Sequence, residues 1–151
     1  MSLRCGLHAV NAILRAVPGA RLCDADELDH ITVELHRRET TLCPEARDTV
    51  PDGEGNYPVE ALFVALRRRR LHAAYTRHTQ RVESHHTVGF LLGTGSHYVA
   101  VVRDGRGAWR LYDNGASGPS AAFHTELIGN VPGVCATIRV FLRHSKCTGG
   151  R

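Results

Sequence analysis

Apolar residues recur at helical spacing along the first part of the chain. Leu7, Val10, Leu14 and Val17 follow one another at steps of three or four, Ile13 widens the stripe, and Pro18-Gly19 ends it. The pattern predicts an amphipathic helix over about residues 5–16. A second helix is predicted after Cys23. Asp24 followed three residues later by Glu27 makes a capping-box-like start, and Leu28, Ile31 and Leu35 supply the apolar face. Residues 38–55 are polar and carry Pro44, Pro51, Asp52-Gly53 and Gly55, the composition of a long surface loop. A third helix is predicted from Pro58, which suits a first-turn position. Its stripe is Val59, Leu62, Phe63, Ala65 and Leu66, and it ends in Arg67-Arg68-Arg69-Arg70.

Beyond the arginines the period shortens to two. Strands are predicted over Leu71–Tyr75, His86–Leu92, His97–Arg103, Ala108–Asp113 and Val134–Leu142. Gly93-Thr94-Gly95 reads as a turn. Asp104-Gly105, extended by Arg106-Gly107, reads as a hairpin loop longer than two residues. Ser120–Ile128 is predicted as a short helix. In the last strand Val134, Ala136, Ile138, Val140 and Leu142 alternate onto one face. Helices first and antiparallel strands second predict an α+β fold, with N-terminal helices packed on one side of an antiparallel sheet. With 151 residues, one domain over 1–142 and a polar tail over 143–151 are expected.

Composition narrows the function classes. No apolar run approaches the ~20 residues of a membrane span. Met1-Ser2-Leu3-Arg4-Cys5 carries no apolar stretch of a signal peptide. Five irregularly spaced cysteines, an odd number, point to reduced thiols and a cytoplasmic or nuclear setting. The net charge of +4 raises nucleic acid as a partner. However, the arginine run reads as the solvated last turn of a helix, where cations suit the dipole. There is no helix-turn-helix pattern and no aromatic platform, so nucleic acid is not expected. Cys23, His36, Cys43 and the His85-His86 pair lack the Cys-x-x-Cys or His-x-x-x-His spacing of zinc sites, so neither metal nor cofactor is expected.

Candidate chemistry lies at Cys5, His97 and Asp113. Cys5 stands at a helix start, where first-turn N–H groups and the dipole favour a thiolate. The alternative is a small buried core residue. His97 opens one strand after the turn Gly93-Thr94-Gly95-Ser96, and Asp113 closes the next. In an antiparallel pair joined at 104–107 the two meet at the open end. An imidazole beside a carboxylate is held in one tautomer and stabilised when protonated, which suits it to serve a nucleophilic thiol.

These residues also carry a resemblance. Cys5-x-x-His8-x-x-Asn11-x-Ile13-Leu14, Gly55-Asn56-Tyr57-x-Val59, and His97-Tyr98 followed by Trp109-x-x-Tyr112-Asp113 resemble the Josephin domain. That is the papain-like cysteine-protease domain of ataxin-3 and the short Josephin proteins. The likeness spans residues 5 to about 114 and is nearest the short members. It implies a papain-like fold, Cys5 as nucleophile, His97 as general base and Asp113 as its orienting partner. The implied activity is hydrolysis of the bond after the C-terminal glycine of ubiquitin. A ubiquitin-like or polyprotein substrate, or ubiquitin binding without cleavage, are the alternatives. His8 and Asn11 match family positions and are read as packing or local hydrogen-bonding residues. One departure stands out. The family places an oxyanion-hole glutamine a few residues before the cysteine, whereas only Met1-Ser2-Leu3-Arg4 precede Cys5 and the chain's single glutamine is Gln80.

Overall fold

The computed structural model describes residues 4–44, 57–76, 86–94, 97–104, 106–113, 122–123 and 133–142. Three helices come first: α1 (Cys5–Arg15), α2 (Ala25–Leu42) and α3 (Val59–Arg68). Six strands follow: β1 (Leu71–Tyr75), β2 (Thr87–Thr94), β3 (Tyr98–Arg103), β4 (Trp109–Tyr112), β5 (Ala122–Phe123) and β6 (Val134–Leu142). They form one sheet in the order β1-β6-β2-β3-β4-β5, every neighbouring pair antiparallel. The fold is therefore α+β. Among the described residues no helix is long and apolar enough to cross a membrane.

The helix stripes become the core. Val10, Ile13 and Leu14 of α1, Leu28 and Ile31 of α2, and Leu62 and Leu66 of α3 are buried with Leu71, Leu91, Ile138 and Val140 of the sheet. Burying each such side chain contributes roughly 1.5–3 kcal/mol, so this layer decides where α1 lies. Gly89 lets α1 come close. A Cβ there would stand 2.7 Å from the Val101 carbonyl oxygen and 3.2 Å from Ile13 Cγ1. A second cluster, Phe90, Leu92, Val99 and Val101 with Trp109, Leu111 and Val134, occupies the other face of β2 and β3.

Several sequence expectations are corrected. The α2 helix runs on to Leu42 rather than giving way to a loop at 38. Arg37 and Arg38 lie 3.7 and 3.9 Å from Glu34, and the Thr40 and Thr41 hydroxyls donate to the His36 and Arg37 carbonyls at 2.9 Å. Polar side chains thus prolong the helix until Pro44 nears; the remainder of that predicted loop lies outside the described residues. Pro58 is the N-cap of α3 rather than a helical residue. The predicted turn at Gly93-Thr94-Gly95 begins later, since β2 extends through Thr94. Within the predicted helix 120–128, Ala122–Phe123 instead pair with Arg110 and Trp109, because the edge of β4 offers backbone partners. Val134 packs in the second cluster, away from Ile138 and Val140, because the β2–β6 register shifts opposite Gly93 and Thr94. The tail 143–151 lies outside the described residues.

Candidate active site

The hairpin of β3 and β4 is locked at its loop by Asp104. Its Oδ1 accepts from the Arg106 and Ala108 N–H groups at 2.9 and 3.0 Å, and Oδ2 accepts from Arg110 Nε at 2.8 Å. The Arg110 guanidinium, followed by the backbone donors, holds the Asp104 carboxyl below its usual pKa. From there Val102 pairs with Arg110, Val101 with Leu111 and Ala100 with Tyr112. That register delivers His97 and Asp113 to the far end. On the other side, the Thr94 N–H donates to the His97 carbonyl at 2.8 Å and closes β2 onto β3. His97 Nε2 then meets Asp113 Oδ1 at 2.6 Å. With Nε2 engaged, Nδ1 is the nitrogen left to exchange a proton with a thiol. The His97 side chain is 28% exposed and that of Asp113 53%, so the carboxylate orients the ring while water screens part of its charge.

Cys5 is buried as the first residue of α1. The N-cap, Arg4, makes no side-chain cap, and the first turn holds no acid. Backbone N–H groups at this helix start are therefore available to negative charge on the sulfur or on a bound oxygen. Among the described residues no hydrogen bond joins Cys5 to His97. Their chain neighbours do touch the same space: a Cβ built on Gly6 would lie 3.7 Å from Tyr98 Cδ2. The Tyr98 hydroxyl is pushed to higher pKa by burial first, then by Tyr75, Cys5, Glu60 and Cys135, which puts Cys5 in its electrostatic surroundings. The structure brings His97 and Asp113 together, and it places Gly6, which follows Cys5, beside Tyr98, which follows His97.

No family model matches the chain, and no curated protein sequence does.

The remaining marked residues have other roles. Asn11 is buried and clamps Cys23: its Nδ2 donates to the Cys23 carbonyl and its Oδ1 accepts from the Cys23 N–H, both at 2.8 Å. This is a hydrogen bond across the α1–α2 connection, not one along the helix. His8 is exposed rather than packed. Tyr57 of the Gly-Asn-Tyr motif is buried, and its hydroxyl donates to Asp29 Oδ1 at 3.1 Å, tying the chain before α3 to α2. Gly55 and Asn56 lie outside the described residues. Among the described residues no group of three His, Cys, Asp or Glu side chains could hold a metal ion. A cavity of about 390 Å³ lies at the other end of α1, against Arg15, Val102, Asp104 and Tyr112, remote from Cys5.

The arginine run is not a uniformly solvated turn. The Arg69 side chain is only 4% exposed. Nη1 donates to Glu27 Oε2 at 2.7 Å and the Ala65 carbonyl at 2.9 Å. Nη2 donates to Glu27 Oε1 at 2.9 Å and the Leu22 carbonyl at 3.0 Å, and Nε to the Arg21 carbonyl at 2.6 Å. All five guanidinium donors are used. Reading the four arginines as one cluster hid this. The available signal was Glu27, the half of the capping box left over once Asp24 Oδ1 accepts from the Glu27 N–H at 2.8 Å.

Two predictions arise here. Cys23 is buried, and its thiol donates to Glu27 Oε2 at 3.5 Å. Burial first and then the Glu27 charge push its pKa up to about 12. In the native protein at about pH 8, iodoacetamide should leave Cys23 unmodified, as peptide mass mapping would report; modification at the rate of an unfolded cysteine would contradict this. The second concerns acid. The Arg69 hydrogen bonds hold the Glu27 carboxyl below its ordinary 4.5. A depressed carboxyl contributes stability that is complete above the unfolded value and is lost as pH falls through the folded one. Denaturant midpoints should drop below about pH 4.5 with a steeper slope in the wild type than in Glu27→Gln. Equal slopes would remove Glu27 from the account.

Proposed function

We propose that this chain is a Josephin-like, papain-like cysteine peptidase that hydrolyses the bond after the C-terminal glycine of ubiquitin. The observation that carries the reading is the 2.6 Å His97–Asp113 pair, set at the end of the sheet where α1 begins with Cys5. His97 Nδ1 takes the Cys5 thiol proton. The sulfur attacks the glycyl carbonyl, and the Cys5 N–H faces the oxyanion that forms. His97 returns the proton to the leaving amine, and water hydrolyses the thioester. The uncapped N–H groups at the start of α1 carry the oxyanion in this proposal.

The missing Cys5–His97 hydrogen bond favours one second reading, a module that binds ubiquitin without cutting it. Catalytic bonds are often long before substrate binds and tighten in the complex, so turnover decides. A fluorogenic ubiquitin C-terminal amide should be hydrolysed by the wild type. Asp113→Ala should be slower, but less impaired than His97→Ala, because the half-exposed carboxylate acts only through the ring. Ubiquitin binding with no turnover would establish the binding module instead.

A further inference from the structure

We propose that Tyr98 is a positioning residue, its ring setting the spacing between Cys5 and His97. The inference rests on the reading of these two as nucleophile and base. They come from separate pieces, the start of α1 and the corner of the β2–β3 hairpin, and among the described residues no hydrogen bond ties one to the other.

One ring spans the gap. Tyr98 follows His97 in the chain, and Gly6 follows Cys5. A Cβ on Gly6 would lie 3.7 Å from Tyr98 Cδ2, and a Cβ on Gly93 would lie 3.6 Å from Tyr98 Cε1. The two edges of the ring are thus bracketed by glycines from α1 and from β2, where Gly93 is the ladder partner of Tyr98. Ala136, the partner of Gly93 on β6, is also small and would stand 3.6 Å from that Cβ. The ladder neighbours on this side of the ring, Gly93 and Ala136, are thus both small. From α3, Leu62 approaches the same Gly6 position to 3.2 Å, so the first turn of α1 is wedged between Leu62 and Tyr98. Removing the ring frees that turn to shift against a His97 that Asp113 holds in place. A displacement of about 1 Å between reacting groups can cost on the order of 100-fold in rate. The spacing depends on the ring and not on its hydroxyl.

The test reads Cys5 itself. Iodoacetamide alkylation of Cys5 is timed at about pH 7 by peptide mass mapping in the full chain, beside kcat and KM on the fluorogenic ubiquitin substrate. Cys5 of the folded wild type should alkylate faster than the same cysteine in the unfolded chain. Tyr98→Phe should keep that rate and kcat within about twofold. Tyr98→Leu should lose the rate advantage and about 10- to 100-fold in kcat with KM little changed. Tyr98→Ala should do the same; Tyr98→Leu, which keeps more of the apolar volume, carries the test if the alanine variant does not fold by circular dichroism. A wild-type rate in folded Tyr98→Leu would overturn the proposal, as would a loss in Tyr98→Phe equal to that in Tyr98→Leu. If Cys5 of the folded wild type reacts no faster than in the unfolded chain, the Cys5–His97 reading falls and takes this role with it. Fast reaction of Cys5 that depends on the ring, without ubiquitin turnover, would support the role of Tyr98 and refute only the substrate.

Discussion

Arg69→Ala is expected to cost about 3–5 kcal/mol of stability, the largest effect of any single substitution discussed for this fold. The guanidinium satisfies three backbone carbonyls and both oxygens of Glu27 at once. The carbonyls belong to Arg21, Leu22 and Ala65, so one side chain staples the α1–α2 connection to the last turn of α3. Removal leaves the Glu27 carboxylate, only 13% exposed, without its main counter-charge. Arg21 lies 3.2 Å from Glu27 Oε1 but is itself 75% exposed, and so replaces little of what is lost. Arg69→Lys keeps the charge but not the planar fork, and should recover only part of the loss. Chemical denaturation of the three proteins measures this. A loss below about 1 kcal/mol in Arg69→Ala would show that the pair is merely a surface contact.

His97→Ala is expected to lower kcat on a fluorogenic ubiquitin substrate by about 100- to 10,000-fold, the range over which a positioned general base acts. Its side chain is partly exposed at a hairpin corner, and its bond partner Asp113 is half exposed. Stability should therefore change little, so that the loss reads as chemistry rather than unfolding. KM should stay near the wild-type value, because the ring handles a proton and does not grip the substrate body. Unimpaired turnover in His97→Ala would remove the base from the mechanism, whatever its distance from Asp113.

The sequence carried much of the architecture because amphipathic periodicity is a local signal. Leu7, Val10 and Leu14 mark a buried stripe whatever they pack against, and Ile138 and Val140 alternate whichever strands flank them. The His97–Asp113 pairing was equally legible, since a hairpin register follows from a short loop and the strand period. Contacts between distant segments were not. Asn11 reads as one more polar position on α1, yet its partner is the backbone of Cys23. Arg69 looks like its neighbours until the fold brings Glu27 to it. The insertion of β6 between β1 and β2 has no counterpart in chain order, and a one-residue slip of register near Gly93 is enough to turn Val134 to the opposite face. The role of Tyr98 was hidden for a related reason: it depends on Gly6 and Gly93, two residues notable for what they lack.

The central claim is that one sulfur, at the start of α1, does the work. A ubiquitin whose C-terminus ends in an electrophile tests it directly. The wild-type chain should gain the mass of one probe, mapped to Cys5, and Cys5→Ala should gain none. Labelling that persists in Cys5→Ala, or that maps to Cys135 or Cys43 in the wild type, would contradict the account.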